Sequence, residues 1–278
     1  MIFRKWINLG WLIFFWGAGL LILFILLAII GLLIYRGGSA LTAEFIFSSP
    51  RGVPLGTAGG VWPAIKGTAF LVGLALIVAG IPGIATAVYL TEYAKPSWFT
   101  NLINNTIQCM TGIPSIITGL FVYAGFVVHL GWGISLLAGG IALGIMILPV
   151  VVITTREALS SIDDHYRLVG TALGVSPGYL LIKVLLPQAT PAILSGILLA
   201  AGYAAGATAP IMVTAAAISA ASSGNLFEPV MALPYHLYIL FNEHISLDKA
   251  YATALLLVLF LLLLNITALG LNAWKRQK

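Results

Sequence analysis

The chain has 278 residues, of which 60% are apolar and 8% charged, with a mean hydropathy of +1.07. A soluble globular protein carries about 25% charged residues, and 13 basic with 8 acidic side chains cannot cover a water-facing surface of this size. A soluble enzyme, a nucleic-acid-binding domain and a disordered tail are excluded, and the composition fits a polytopic membrane protein.

Charges punctuate the chain, and the spans are read between them. Leu9–Tyr35 is uncharged, and its 27 residues exceed the apolar core of a cleavable signal peptide, so it is read as a membrane helix. A second uncharged stretch, Gly67–Thr91, carries Gly80-Ile81-Pro82-Gly83, where a kink is expected. From Pro96 to Thr155 there is no Asp, Glu, Lys or Arg, enough for two spans broken at His129-Leu130-Gly131-Trp132-Gly133. They are placed at Thr106–Val128 and Gly133–Ile153. Cys109, within the first of these, is the only cysteine. It excludes an intramolecular disulfide or a multi-cysteine metal site and is expected to be buried as a small apolar residue. A fifth span follows at Ala189–Val213 and a sixth at Ala250–Trp274. The expectation is one all-α domain over 1–278, with six transmembrane helices and both termini on one side.

The basic residues orient it. Arg4, Lys5, Lys95, Arg156, Arg167, Lys183, Lys275, Arg276 and Lys278 fall on the side of the termini, against Arg36, Arg51, Lys66 and Lys249 on the other. The bias makes the termini cytoplasmic and the protein a multi-pass protein of the cytoplasmic (inner) membrane. Arg36–Lys66, rich in Gly, Ser and Pro, reads as an external loop. Thr214–Lys249 is external too, and its His236, Glu243 and His244 are expected to be solvated rather than metal ligands.

The one long polar stretch on the inside is 155–188. Ser161-Ile162-Asp163-Asp164 reads as a helix start, with acidic groups at the positive end of the helix dipole. That helix runs to about Leu173 and stops at Gly174, where a left-handed residue is useful. Ser176-Pro177 starts a second helix, serine as cap and proline in the first turn, and Pro187 ends it or leads it into the fifth span.

Gly174, nine residues, then Val184-Leu185-Leu186-Pro187 reproduce the G-x9-I-x-L-P part of a cytoplasmic loop signature. Further segments agree in order: Gly59-Gly60-Val61-Trp62-Pro63-Ala64-Ile65-Lys66-Gly67-Thr68, Gly112-Ile113-Pro114-Ser115-Ile116, Ser135-Leu136-Leu137-Ala138-Gly139 through Leu148-Pro149, Thr154-Thr155-Arg156-Glu157-Ala158-Leu159 and Thr208-Ala209-Pro210. Together the chain resembles the phosphate-specific permeases of ABC importers, and within them the A-type (PstA-type) subunit. The resemblance implies the type I importer permease fold with a cytoplasmic coupling-helix loop. It also implies a second, C-type permease, a cytoplasmic ATPase homodimer, an external phosphate-binding protein and phosphate as cargo. No cofactor, metal, catalytic residue or nucleic-acid partner is implied, and the lipid bilayer is the medium.

This chain has no G-x-x-x-x-G-K-[ST] segment, so ATP hydrolysis is expected in a partner, with its energy received mechanically. Coupling is expected from Leu168, Val169, Gly170, Gly174, Val175 and Ser176, in a segment small and apolar enough to dock in a groove of the ATPase and to drive alternating access. The passage is expected along Pro114, Ser115, Thr118, Tyr203, Ala207, Thr208 and Pro210. Helix N-termini after Pro114 and Pro210 would meet the anion through backbone N–H groups. Hydroxyls of Ser115, Thr118, Thr208 and Thr214 would add donors, although each is singly expected to bond back to its own helix. The sequence departs from the family where Leu168 replaces the loop glutamate, and where Tyr203 and Ala207 replace an Arg-x3-Glu pair of the fifth span. Four residues apart, the latter two are expected on one helix face, a neutral substitute for the pair. The alternatives are the same architecture carrying molybdate, sulfate or phosphonate, and a secondary transporter, which would normally show ionisable residues at mid-membrane.

Overall fold

The computed structural model describes residues 2–217 and 224–276. Lys278 of the charge count, and 218–223 of the segment following the fifth span, lie outside the described residues. Among the described residues, five helical stretches are long and apolar enough to cross a membrane. They are α1 (Ile2–Gly37), α3 (Trp62–Val88, continued by a π turn at Tyr89–Tyr93), α6 (Leu136–Ser160), the stretch Pro177–Gly206, and α12 (Leu247–Arg276).

The expected third span is not one helix. It is α4 (Trp98–Thr111) and α5 (Ser115–Val122, continued by a π turn at Tyr123–His129), bent by 107° at the break, and the bundle has six spans when the pair is taken as one. The cause lies in Gly112-Ile113-Pro114. Proline offers no N–H to the helical ladder and pushes the residue before it out of the helical region. Pro114 itself sits extended, at φ −55 and ψ 132, as the cap of α5. α4 is also amphipathic, with Asn101, Asn104, Asn105 and Gln108 on one side. Cys109 lies exposed on it, contrary to the buried position expected.

Prolines move the other boundaries. α6 runs on to Ser160, and a continuous helical stretch opens with α8 (Pro177–Leu180), widens into a π turn at Leu181–Leu185 and becomes α9 (Leu186–Gly206). The expected 155–188 loop is thus a short connector holding one helix, α7 (His165–Ala172). Pro187 does not end its helix, because the preceding π turn has already opened the ladder where Pro187 lacks an N–H. The fifth span stops at Gly206 rather than Val213, and α10 (Ala209–Thr214) stands apart. In a continuous helix Pro210 would have to donate to the carbonyl of Gly206, which it cannot do.

The core lies where α3, α6 and α9 meet, around Leu71, Leu143, Ile147, Val151, Ala200 and Ala204. Glycines set the α3–α6 distance. A methyl group on Gly144 would come within 2.6 Å of Val78, one on Gly83 within 2.8 Å of Val151, and one on Gly140 would strike Leu74. Small residues four apart that let membrane helices close to backbone contact are the usual device where burial of apolar surface drives nothing. α12 packs on α9, and α1 packs on α12 near Gly37 and Tyr251.

The segment expected as an external loop is built rather than loose. Thr42 caps α2 (Ala43–Phe47) by accepting the Phe45 N–H at 3.1 Å, and β1 (Pro50–Arg51) pairs antiparallel with β2 (Ala58–Gly59). Lys66 belongs to α3. Beside this unit lies α11 (Leu233–Asn242).

Candidate functional site

The α6–α8 connector is a helical hairpin whose parts were legible. The Asp163 carboxylate accepts the His165 N–H at 2.9 Å at the start of α7. At its end the Val175 N–H reaches the Gly170 carbonyl at 2.9 Å and the Gly174 N–H the Thr171 carbonyl at 3.1 Å. These are the two bonds of a Schellman stop, which needs a left-handed residue between them. Gly174 has φ +68, and nothing lies within 4 Å of where its Cβ would be. Backbone conformation, not space, requires glycine there. The Ser176 hydroxyl accepts the Tyr179 N–H at 3.4 Å and starts α8.

The hairpin carries its apolar groups outward. Leu168 is 67% and Leu173 74% exposed, with Val169 and Tyr179 beside them. An all-apolar groove of about 390 Å³ runs between α7 and the following helix, lined by Tyr166, Val169, Gly170, Leu173, Leu180 and Val184. Gly170 faces inward, where a Cβ would stand 3.0 Å from Leu180. Val175 and Ser176 form the turn. Leu173 and Tyr179 were missed as site candidates, because only exposure distinguishes them from core residues.

Opposite the groove, one side chain ties the hairpin down. The Arg167 guanidinium bonds both Glu92 oxygens, Nη2 to Oε1 at 2.7 Å and Nε to Oε2 at 3.2 Å. It also bonds Asp164 at 2.9 Å and the carbonyls of Leu159 and Ile162 at 3.1 and 3.3 Å. The hydrogen bond it donates to Glu92 raises the Arg167 pKa above its ordinary value, its partial burial opposing and the charges of Glu92 and Asp164 adding. Nearby, Arg156 donates to Asn104 at 2.8 Å and joins α6 to α4. From the sequence, Arg156 entered as an orienting charge and within the Thr154–Leu159 segment, Arg167 as an orienting charge alone, and Glu92 was passed over, although it is the one acidic residue between Glu44 and Glu157.

The second group of candidates gathers where α5 crosses α10. A Cβ on Gly119 would stand 2.6 Å from the Pro210 Cα, so the two short helices touch backbone to backbone. Beside the crossing is a cavity of about 150 Å³ lined by Thr111, Ile113, Thr118, Met146, Pro149 and Tyr203. Of the expected passage residues, Thr118 and Tyr203 thus meet in one cavity, and Pro114 and Ser115 open the helix that carries Thr118. Ala207 packs instead on the central core, Pro210 is buried, and Thr208 precedes α10. Tyr203 and Ala207 do not share a helix face: α9 ends between them, with Ala207 at φ −76 and ψ 123. Thr214 bonds back to the Pro210 carbonyl at 2.8 Å. Pro210 has no N–H, so the first turn of α10 offers an anion one donor fewer than an ordinary helix start.

Residues 83–278 match the family described as the binding-protein-dependent transport system inner membrane component. The chain belongs to this family. This permease is 35% identical over 226 residues to the phosphate transport system permease protein PstA 2 of Mycobacterium bovis, covering 80% of this chain and 75% of that protein. It is 34% identical over 219 residues to PstA of Xylella fastidiosa, covering 77% and 75% of the two chains. The inward-facing MetNI methionine ABC transporter shares its fold, with a TM-score of 0.60 at 17% identity over 77% of this permease and 96% of that chain.

At the other end of the permease, His236 is not solvated as expected. It is 5% exposed on α11, and its Nδ1 lies 3.2 Å from the Thr253 hydroxyl, which donates to the Lys249 carbonyl at 2.8 Å. With that hydroxyl proton spent, Nδ1 must carry the proton of a neutral ring. Burial, helped by the charge of Lys249, lowers the His236 pKa from 6.5 to about 4. Glu243 and His244 are exposed, and no group of three metal-ligating side chains occurs among the described residues.

Proposed function

We propose that this chain is the A-type permease subunit of an ATP-driven phosphate importer. In this reading it is a non-catalytic subunit, oriented with both termini in the cytoplasm. It works with a second permease, a pair of cytoplasmic ATPase subunits and an external phosphate-binding protein. The observation that carries the coupling role is the outward apolar face of the α7–α8 hairpin. Asp163, Asp164 and His165, all exposed, flank that face, so lipid is not its cover, and leaving Leu168, Leu173 and Tyr179 in water would be unfavourable. A groove on another protein covers them best. Leu168, Val169, Gly170, Gly174, Val175 and Ser176 then form the element the ATPase moves. Phosphate as cargo is supported by the relatives named as phosphate permeases.

The passage is proposed beside the α5–α10 crossing. There Thr118 and Tyr203 supply hydroxyls without a fixed charge, which suits an anion that must leave as readily as it enters. Pro114, Ser115, Ala207, Thr208 and Pro210 shape its walls.

The test is the assembled importer with its binding protein. ATP hydrolysis is expected to rise on adding phosphate-loaded binding protein, and labelled phosphate to accumulate in liposomes. Stimulation by molybdate, sulfate or phosphonate in its place would reassign the cargo. Accumulation driven by an ion gradient without ATP would remove the reading altogether.

A further inference from the structure

α7 is attached to the membrane bundle in two ways that differ in kind. Toward α8 the attachment is apolar, Gly170 lying against Leu180. Toward α3 it is ionic, the Arg167 fork closing on Glu92 from 75 residues away. An exposed pair of this sort contributes little, but here the Glu92 side chain is only 11% and that of Arg167 24% exposed. The carbonyls of Leu159 and Ile162 hold the guanidinium from behind. A planar fork with two parallel bonds resists sliding and rotation as a single contact does not.

Beyond Glu92, α3 has no room to yield. Its close approaches to α6 at Gly83, Gly140 and Gly144 make the two helices one body, and a packed interior transmits displacement rather than absorbing it. An apolar contact such as Gly170 on Leu180 permits α7 to roll; the bidentate pair makes it pull.

Resting on the reading that an ATPase moves α7, we propose that Glu92 and Arg167 are positioning residues for transport. The pair carries displacement of α7 into the second span, so that α3 and α6 move together with α9. Neither residue touches the cargo. Asp164 also pairs with Arg167 at 2.9 Å, but three residues away on the same segment and with its side chain 87% exposed, so it serves as the internal control.

The experiment uses the complete importer in liposomes and reads substrate moved per ATP hydrolysed. Glu92→Ala and Arg167→Ala are each expected to lower that ratio roughly five-fold or more. The double variant is expected to be no worse than the weaker single, as for partners in one interaction. Arg167→Lys, which keeps the charge and loses the fork, falls between, and Asp164→Asn matches the unmodified protein. A second readout needs no cargo. In a Cys109→Ser background, Tyr93→Cys beside Glu92 is labelled with and without MgATP and vanadate. The nucleotide-dependent change in labelling is expected to vanish in Glu92→Ala. If phosphate fails to stimulate the unmodified complex while this change still depends on Glu92, the cargo assignment fails and the strut stands. An unchanged ratio in both single variants, or losses that simply multiply in the double, would overturn the proposal. So would failure of Glu92→Ala and Glu92→Gln alike to assemble, which would make the pair a folding element only.

Discussion

The two polar ends of this bundle bury opposite things. At the α2–α11 end Phe45, Val61, Met231, Leu233 and Ala252 form a closed core and even the one buried imidazole is neutral, while Phe47 and Phe241 stay exposed. At the α7–α8 end the Arg167–Glu92 pair holds the hairpin from within, and leucines and a tyrosine face out. Chains place apolar groups where their final neighbours will be. The core at the first end is closed within this chain, and the hairpin face is, on the proposed reading, covered by another protein.

The same substitution at both ends is the sharpest way to break that contrast. Leu233→Asp, at 1% exposure, puts an unpaired charge in a closed core and is expected to cost about 4 kcal/mol or more, seen as loss of the protein from membranes. Leu173→Asp, at 74% exposure, is expected to leave abundance and melting unchanged while abolishing ATP-driven transport. Equal loss of abundance at both positions would mean that the hairpin face is covered within this chain.

A smaller effect separates hydrogen bonding from burial at the α2–α11 end. Thr68 donates to the Ala64 carbonyl at 2.8 Å and accepts the Leu233 N–H at 2.9 Å, joining α3 to the start of α11. Thr68→Val keeps the shape and orphans a buried N–H, which costs about 1–3 kcal/mol. A fall in the detergent melting temperature, with transport per folded molecule retained, is the expected result.

In the hairpin, Gly174→Val forces a β-branched residue to φ +68 in otherwise open space. The cost is about 1–2 kcal/mol of local conformation, enough to unset the turn and uncouple hydrolysis from uptake. Gly174→Asn, which tolerates this region better, is expected to retain most transport. Normal substrate-driven hydrolysis and uptake in Gly174→Val would show that the turn does not matter.

The smallest effect is that of pH on His236. Its pKa is about 4 in the folded protein against 6.5 when exposed, so the unfolded chain binds the proton first. The stabilisation is complete above about pH 6.5 and is lost progressively as pH falls from there toward 4. Between pH 7.5 and 5.5 the loss is about 1 kcal/mol, measured as a drop in melting temperature that His236→Phe removes.

Much of the architecture was legible because membranes ask simple questions of a sequence. Long uncharged runs such as Leu9–Tyr35 must be helices, since lipid satisfies no backbone group. Gly174 and Ser176-Pro177 marked the hairpin because a left-handed stop and a capped start each admit few residue types. These are local requirements, answered by adjacent residues, so the chain by itself determined the helical class, most of the span positions and the turn of the hairpin.

What only the tertiary structure decided depends on residues far apart meeting. A helix start after Pro114 was legible, but hydropathy could not see that Gly112-Ile113-Pro114 turns the third span by 107° or that the π turn at Leu181–Leu185 lets Pro187 pass. Nor could it tell that Tyr203 lines a cavity while Ala207 joins the core. Cys109 and His236 were placed by residue type, and packing reversed both: an amphipathic helix exposed the thiol, and Thr253 with the surrounding apolar groups enclosed the imidazole. Glu92 and Arg167 pair across 75 positions, and nothing in the vicinity of either names the other. Charges have no periodicity to read, and their partners are set by which helices pack together. The shape of a turn is local chemistry, whereas the identity of a contact belongs to the fold.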